Sequence, residues 1–217
     1  MTPALLDIYD SYRTSKHFKS LRETGSRLVQ GSGPATAKVM IIGDAPGATE
    51  NDSGVPFTGR SGQVLDSLLG TAGLTRSDVF LTYVVKYRTP GNRRPSTAEI
   101  IRSTKFLRRE WLEIKPLLTI AAGTTVAAVI ESEDQIHGVL FPYWYNDDTH
   151  VYHKSAIVYH PSFGLKNKKA RQWIEKEWSL LGEEIAEHAP DVLCKDCKGA
   201  GPRGKVKCNC STFAISQ

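Results

Sequence analysis

The chain has 217 residues, 40% of them hydrophobic, with 28 Lys and Arg against 23 Asp and Glu for a formal charge of +5. That length holds one well-buried α/β domain and a small appendage, and the modest positive balance permits a polyanionic partner without demanding one. No apolar run approaches the ~18 residues of a membrane span, and Asp7 and Asp10 speak against a secretory signal, so a cytoplasmic protein with no membrane partner is expected.

Residues 3–29 place Leu5, Ile8, Tyr9, Tyr12, Phe18, Leu21 and Leu28 at mostly helical spacing, predicting one or two helices before the Gly31-Ser32-Gly33-Pro34 breaker. Val39 to Ile42 is a short apolar run, the pattern of a strand covered on both faces. Gly43-Asp44-Ala45-Pro46-Gly47 stops it, and two glycines with a proline leave backbone N–H groups free to point outward. Loops at the carboxyl ends of parallel strands are where α/β folds place ligands.

A helix is expected from about Gly59 to Gly73, with Val64, Leu65, Leu68 and Leu69 on one face. Val79 to Val85 reads as the second strand, running into a basic loop from Lys86 to Pro95. Ser96 and Glu99 form a capping box that opens a helix through Trp111. Leu117 to Ala122 is the third strand, followed by Gly123 and a short helix ending near Ile130. The segment from Val139 to Tyr159 reads as a hairpin-like excursion, with a turn at Asn146-Asp147-Asp148, feeding a last strand from Ser155 to Tyr159. A helix from Lys168 to Glu187 closes the domain.

Four strands alternating with helices predict a three-layer α/β/α sandwich with a central four-stranded parallel sheet over residues 1–189. Right-handed crossovers gather the loops after the strands on one edge, so Asp44, Tyr83, Gly123 and His160 should converge.

Gly43-Asp44-Ala45-Pro46-Gly47, Gly54-Val55-Pro56-Phe57-Thr58-Gly59-Arg60-Ser61-Gly62-Gln63, Val84-Val85-Lys86 with Pro90-Gly91-Asn92-Arg93 and Pro95, and His160-Pro161-Ser162 with Leu165 stand in the order seen in the uracil-DNA glycosylase superfamily. The chain most resembles the family 4 branch, over about residues 25 to 188. The resemblance implies a monomeric, nucleoid-associated DNA glycosylase of base excision repair, acting on uracil or a related altered pyrimidine. Such a site needs a hydrogen-bond donor for the departing base and a carboxylate near the sugar. His160 can donate to uracil O2, helped by backbone N–H groups of the first turn, including Gly43. Asp44 can orient water at C1′ and stabilise the cationic sugar. No cofactor is needed for that chemistry.

Phe57 would stack on the extruded base and Glu50 would crowd the 5-methyl of thymine. Leu165 would fill the gap left in the duplex. Lys86, Arg88, Arg93, Arg94, Ser162, Lys166 and Lys168 would contact the DNA backbone.

The chain departs from family 4 at several positions. Members carry an iron–sulfur cluster on four cysteines, whereas this chain has Tyr87 and Ser103 at two of the matching places and no cysteine before Cys194. The cluster is expected to be absent, with Tyr87 filling its space. Asp44 replaces the family's Glu, and Tyr83 replaces the Asn whose amide reads the uracil edge. A phenol cannot give that two-sided pattern. The loop from Gly91 to Pro95 lacks the His of a crosslinking relative, so no covalent trapping is expected.

All four cysteines lie in the tail, residues 190–217. Cys194 and Cys197 precede Cys208 and Cys210 by a ten-residue, glycine-containing loop, the spacing of a small four-thiolate structural zinc site. Five Lys and Arg against two Asp put +3 of the charge there, so the tail would add salt-sensitive DNA affinity. Tyr83 and the missing cluster also support a different reading, a DNA-binding module of glycosylase ancestry with weakened catalysis. An enzyme of free nucleosides would not need the basic loops or Leu165.

Overall fold

A computed structural model describes residues 1–130, 140–144 and 152–188. The cysteine tail, the domain boundary at 189/190 and the Asn146-Asp147-Asp148 turn lie outside the described residues. Five strands, β1 (Val39–Gly43), β2 (Val79–Tyr83), β3 (Leu118–Ala122), β4 (Leu140–Trp144) and β5 (Tyr152–Val158), form one sheet in the order β2-β1-β3-β5-β4. The first four in that order are parallel, as the alternation of strands and helices predicts. The sheet is not limited to four strands. The hairpin-like excursion contributes β4, which pairs antiparallel with β5, and β5 starts at Tyr152 rather than Ser155 because that pairing extends it backwards.

Helices α1 (Pro3–Thr14), α2 (Lys19–Glu23), α3 (Ala48–Ser53), α4 (Arg60–Thr71), α5 (Thr97–Ile114), α6 (Thr124–Ile130) and α7 (Lys168–His188) accompany the strands. Alternate strand residues face opposite layers. Val39, Ile41, Val79, Leu81, Leu118 and Ile120 pack with Leu65 and Leu68 of α4 and Trp178 and Leu181 of α7. Met40, Ile42, Phe80, Ala121 and Ile157 pack with Ile8 and Tyr12 of α1 and Phe106 of α5. The three layers follow directly from the strand pattern.

The caps follow from the sequence as well. Thr2 accepts from the Leu5 N–H ahead of Pro3 at the start of α1. The Ser96–Glu99 box opens α5, which ends at left-handed Lys115 before Pro116. One element escapes the pattern: α3 lies where only a loop is expected. Its six residues hold no apolar stripe, and it exists because Glu50 in its first turn accepts from the Gly47 N–H at 3.1 Å while Gly54 ends it at φ +75°.

Candidate active site

Three neighbouring parallel strands end on one rim. Asp44 follows β1, Gly123 follows β3 and His160 lies two residues beyond β5, so adjacency in the sheet brings residues far apart in sequence together. Gly123 marks their meeting point. Its φ is +106°, and a Cβ there would lie 3.4 Å from Asp44 Oδ1 and 3.5 Å from His160 Cβ. A larger residue would be strained and would press on the Asp44 carboxyl and the His160 Cβ.

Burial raises the Asp44 carboxyl above the ordinary carboxylate range, opposed by the charge of His160, a hydrogen bond from Thr125 and the charge of Arg94. Asp44 Oδ1 is buried and has no hydrogen-bond partner among the described residues. Burial lowers the His160 imidazolium below its usual value, opposed by the charges of Asp44 and Glu50. The Ser162 N–H donates to His160 Nδ1 at 3.2 Å, and Ser162 Oγ lies 2.8 Å from the same nitrogen. A backbone N–H can only donate, so Nδ1 accepts and the proton of the neutral ring sits on Nε2. The pair therefore sets an Nε2–H donor beside a carboxyl group.

Several side chains hold this rim in place. The Val84 and Val85 N–H groups donate to the Gly43 and Asp44 carbonyls, extending the β1–β2 ladder past the turn. Arg94 Nε donates to Thr125 Oγ1 at 2.8 Å and Nη2 to Thr124 Oγ1 at 3.2 Å, which brings a cation beside Asp44. Glu177 of α7 accepts from the Tyr159 N–H at 2.9 Å, immediately before His160, and burial pushes its carboxyl up to about 7. Sequence reasoning missed Glu177. The available signal was a charged residue within the apolar stripe Ile174, Trp178, Leu181, Ile185.

The remaining expected site residues divide. Ser162 is brought to His160, and Leu165 (44% exposed) and Lys166 stand on the exposed segment that follows. Lys166 Nζ lies 4.9 Å from the Phe163 ring centre, while Lys168 is exposed at the start of α7. Arg88 donates to Asn92 Oδ1 at 2.6 Å, and Arg93 is bidentate to Glu99 at 2.7 and 2.8 Å. Lys86 requires a correction. Its side chain is fully buried and its Nζ sits 2.7 Å from Glu110 Oε2, so it reaches no phosphate. The Val84-Val85-Lys86 motif turns the lysine inward because α5 offers a carboxylate there.

Glu50 is also buried. Its oxygens accept from the Gly47 N–H at 3.1 Å and the Gly59 N–H at 2.7 Å, stapling the two glycine loops together. Phe57 is fully buried in a left-handed conformation, φ +54°. It stacks on Tyr83 with ring centres 4.8 Å apart and lies 6.3 Å from the His160 ring.

The parallel sheet thus carries Asp44, Gly123 and His160 together on its carboxyl rim. A family model described as the uracil DNA glycosylase superfamily matches residues 30–182, and the chain belongs to that superfamily. The kinship with family 4 holds at the finer level. A Type-4 uracil-DNA glycosylase of Saccharolobus solfataricus is 31% identical over 189 residues, covering 82% of this chain and 84% of that protein. Similar proteins of the same name come from Archaeoglobus fulgidus, 29% identical over 80% of this chain and 89% of that protein, and Pyrobaculum aerophilum, 32% identical over 74% and 85%.

The residues at the family's cluster positions do not fit an iron–sulfur cluster. Tyr87 and Ser103 offer no thiolate, and residues 1–193 contain no cysteine. Both are buried beside Tyr12, whose hydroxyl lies 2.9 Å from Ser103 Oγ. The Tyr12 ring stacks on Phe18 at 4.1 Å and lies 5.6 Å from Tyr87 and 4.9 Å from Phe106. Among the described residues no group of three or more His, Cys, Asp or Glu could hold a metal ion, and no helix is long and apolar enough to cross a membrane.

Proposed function

We infer that the protein is a DNA glycosylase that hydrolyses the N-glycosidic bond of uracil or a related altered pyrimidine in DNA. The observation that carries this reading is Asp44 and His160 facing each other across Gly123, with His160 Nδ1 capped by Ser162 so that Nε2–H is the available donor. As the bond breaks, Nε2–H stabilises the negative charge gathering on the base oxygen, a role suited to a ring kept neutral by burial. The Asp44 carboxylate opposes the positive charge on the sugar and orients the water that attacks C1′. Arg88, Arg93, Arg94 and Lys166, on exposed or part-exposed loops, and Lys168 at the start of α7 would contact phosphates, and Leu165 would enter the duplex.

The names of the similar archaeal proteins support the same activity. The tail would add a basic four-thiolate zinc knob on Cys194, Cys197, Cys208 and Cys210. A second reading, a DNA-binding module of weakened catalysis, is favoured by one observation: Tyr83, at the place where the family 4 resemblance implies a base-reading amide, is stacked on Phe57.

The test incubates the protein with labelled single- and double-stranded oligonucleotides carrying uracil, hypoxanthine, 5-hydroxymethyluracil or thymine, followed by alkali. Strand cleavage at uracil or a related base supports hydrolysis. Binding without cleavage at any base favours the module.

A further inference from the structure

We propose that Tyr83 gates the base site: its ring occupies the stacking position against Phe57, and a nucleobase enters the Asp44–His160 site only by displacing it. The proposal rests on the reading that this site receives a base. Four observations carry it. The Tyr83 and Phe57 rings are nearly parallel, 26° apart, with centres at 4.8 Å, a stacked pair that leaves no room for a third planar group between them. Phe57 is 0% exposed and Tyr83 3%, so Phe57 presents no open face to a ligand.

The Tyr83 hydroxyl is also committed, accepting from the Phe57 N–H at 2.9 Å. Finally, Gly43 closes the pair from the opposite strand. In the register Gly43↔Tyr83, a Cβ on Gly43 would fall 2.8 Å from Phe57 Cζ and 3.0 Å from Tyr83 Cδ1.

Phe57 is held for this partner. A non-glycine residue in the left-handed region costs energy and persists where its surroundings fix it. Here Tyr83 takes its N–H, an Arg76 guanidinium donates to its carbonyl, and Gly62 gives the carbonyl room that no other residue could. The tyrosine therefore both fills the stacking slot and locks the loop that forms its other wall. An incoming base must outcompete an aromatic ring and free a hydrogen-bonded N–H. That penalty falls on every base alike, so Tyr83 sets how readily any base enters and leaves the choice among bases to how easily each one leaves the duplex.

Equilibrium dialysis with labelled free uracil reads the slot without needing catalysis. Tyr83→Ala removes the ring, and Tyr83→Phe keeps it but releases the Phe57 N–H. Loss of the stack and the hydrogen bond predicts uracil binding about tenfold tighter or more in Tyr83→Ala, and a smaller gain in Tyr83→Phe. Circular dichroism confirms that each variant is folded. If Tyr83→Ala does not fold, Tyr83→Phe decides alone: tighter uracil binding than wild type supports the proposal, and equal or weaker binding overturns it. Equal binding by wild type and a folded Tyr83→Ala also overturns it. Uracil binding that rises in Tyr83→Ala while no variant cleaves DNA would sink the hydrolysis reading and leave this one standing.

Discussion

The buried pair Lys86–Glu110 gives a prediction whose size follows from the structure. Both side chains are 0% exposed, with Nζ 2.7 Å from Glu110 Oε2. Glu110 also accepts from the Thr82 hydroxyl at 2.9 Å and, through its other oxygen, from the Tyr9 hydroxyl. Lys86 Nζ further donates to Thr82 Oγ1 at 2.7 Å and to the Tyr83 carbonyl at 3.1 Å, so the network anchors the end of β2 near the Asp44–His160 rim. Glu110→Ala strands the ammonium and removes the Tyr9 acceptor. Removing one partner of a buried pair costs about 3–5 kcal/mol, because the remaining charge stays desolvated. At about 2–4 °C per kcal/mol for a domain of this size, the melting temperature should fall by roughly 6–20 °C.

Urea denaturation followed by circular dichroism measures the loss. The double variant Lys86→Met with Glu110→Gln removes both charges and keeps an acceptor for Tyr9 and a partner for Thr82, so it should recover most of it. A loss below about 1 kcal/mol in Glu110→Ala, the value of an exposed pair, would refute the reasoning that this network is dry.

Further predictions concern the site. Asp44→Asn should slow uracil excision by about 10²–10⁴-fold in single-turnover assays, yet raise the melting temperature at neutral pH. The folded state holds the Asp44 proton more tightly than the unfolded chain, so the stability it contributes is present at low pH and lost as pH rises through its raised pKa. Excision should follow the opposite course, rising with pH through that same raised pKa. A pH–rate profile with its acid limb in the ordinary carboxylate range would contradict it. Lys166→Ala should weaken DNA binding about equally across sequences and reduce the salt slope by about 1, read from affinities at several salt concentrations.

Much of this was legible in the sequence, for reasons tied to particular residues. The apolar run of β1, the Ser96–Glu99 box and the loop glycines are local signals, and crossover handedness turned them into a rim shared by Asp44, Gly123 and His160. Inward or outward orientation was not legible. Lys86 resembles a phosphate ligand until α5 is seen to place Glu110 against it, and Glu50 resembles a base reader until two loop N–H groups are seen to take its oxygens. In the sequence β4 reads only as part of an excursion, since an edge strand owes its existence to pairing with β5 rather than to its own pattern. The Tyr83 substitution was visible as a change of chemistry. Its stacking on Phe57 depends on a strand register and a left-handed loop residue that no linear motif encodes.

The most direct measurement is release of free base from a single-stranded oligonucleotide containing one uracil, followed by mass spectrometry with protein in excess over DNA. Wild-type protein should yield free uracil and an abasic strand, and His160→Ala and Asp44→Asn should each suppress that yield. No free uracil at any protein excess, or equal release by all three, would contradict the assignment of hydrolysis to the Asp44–His160 pair.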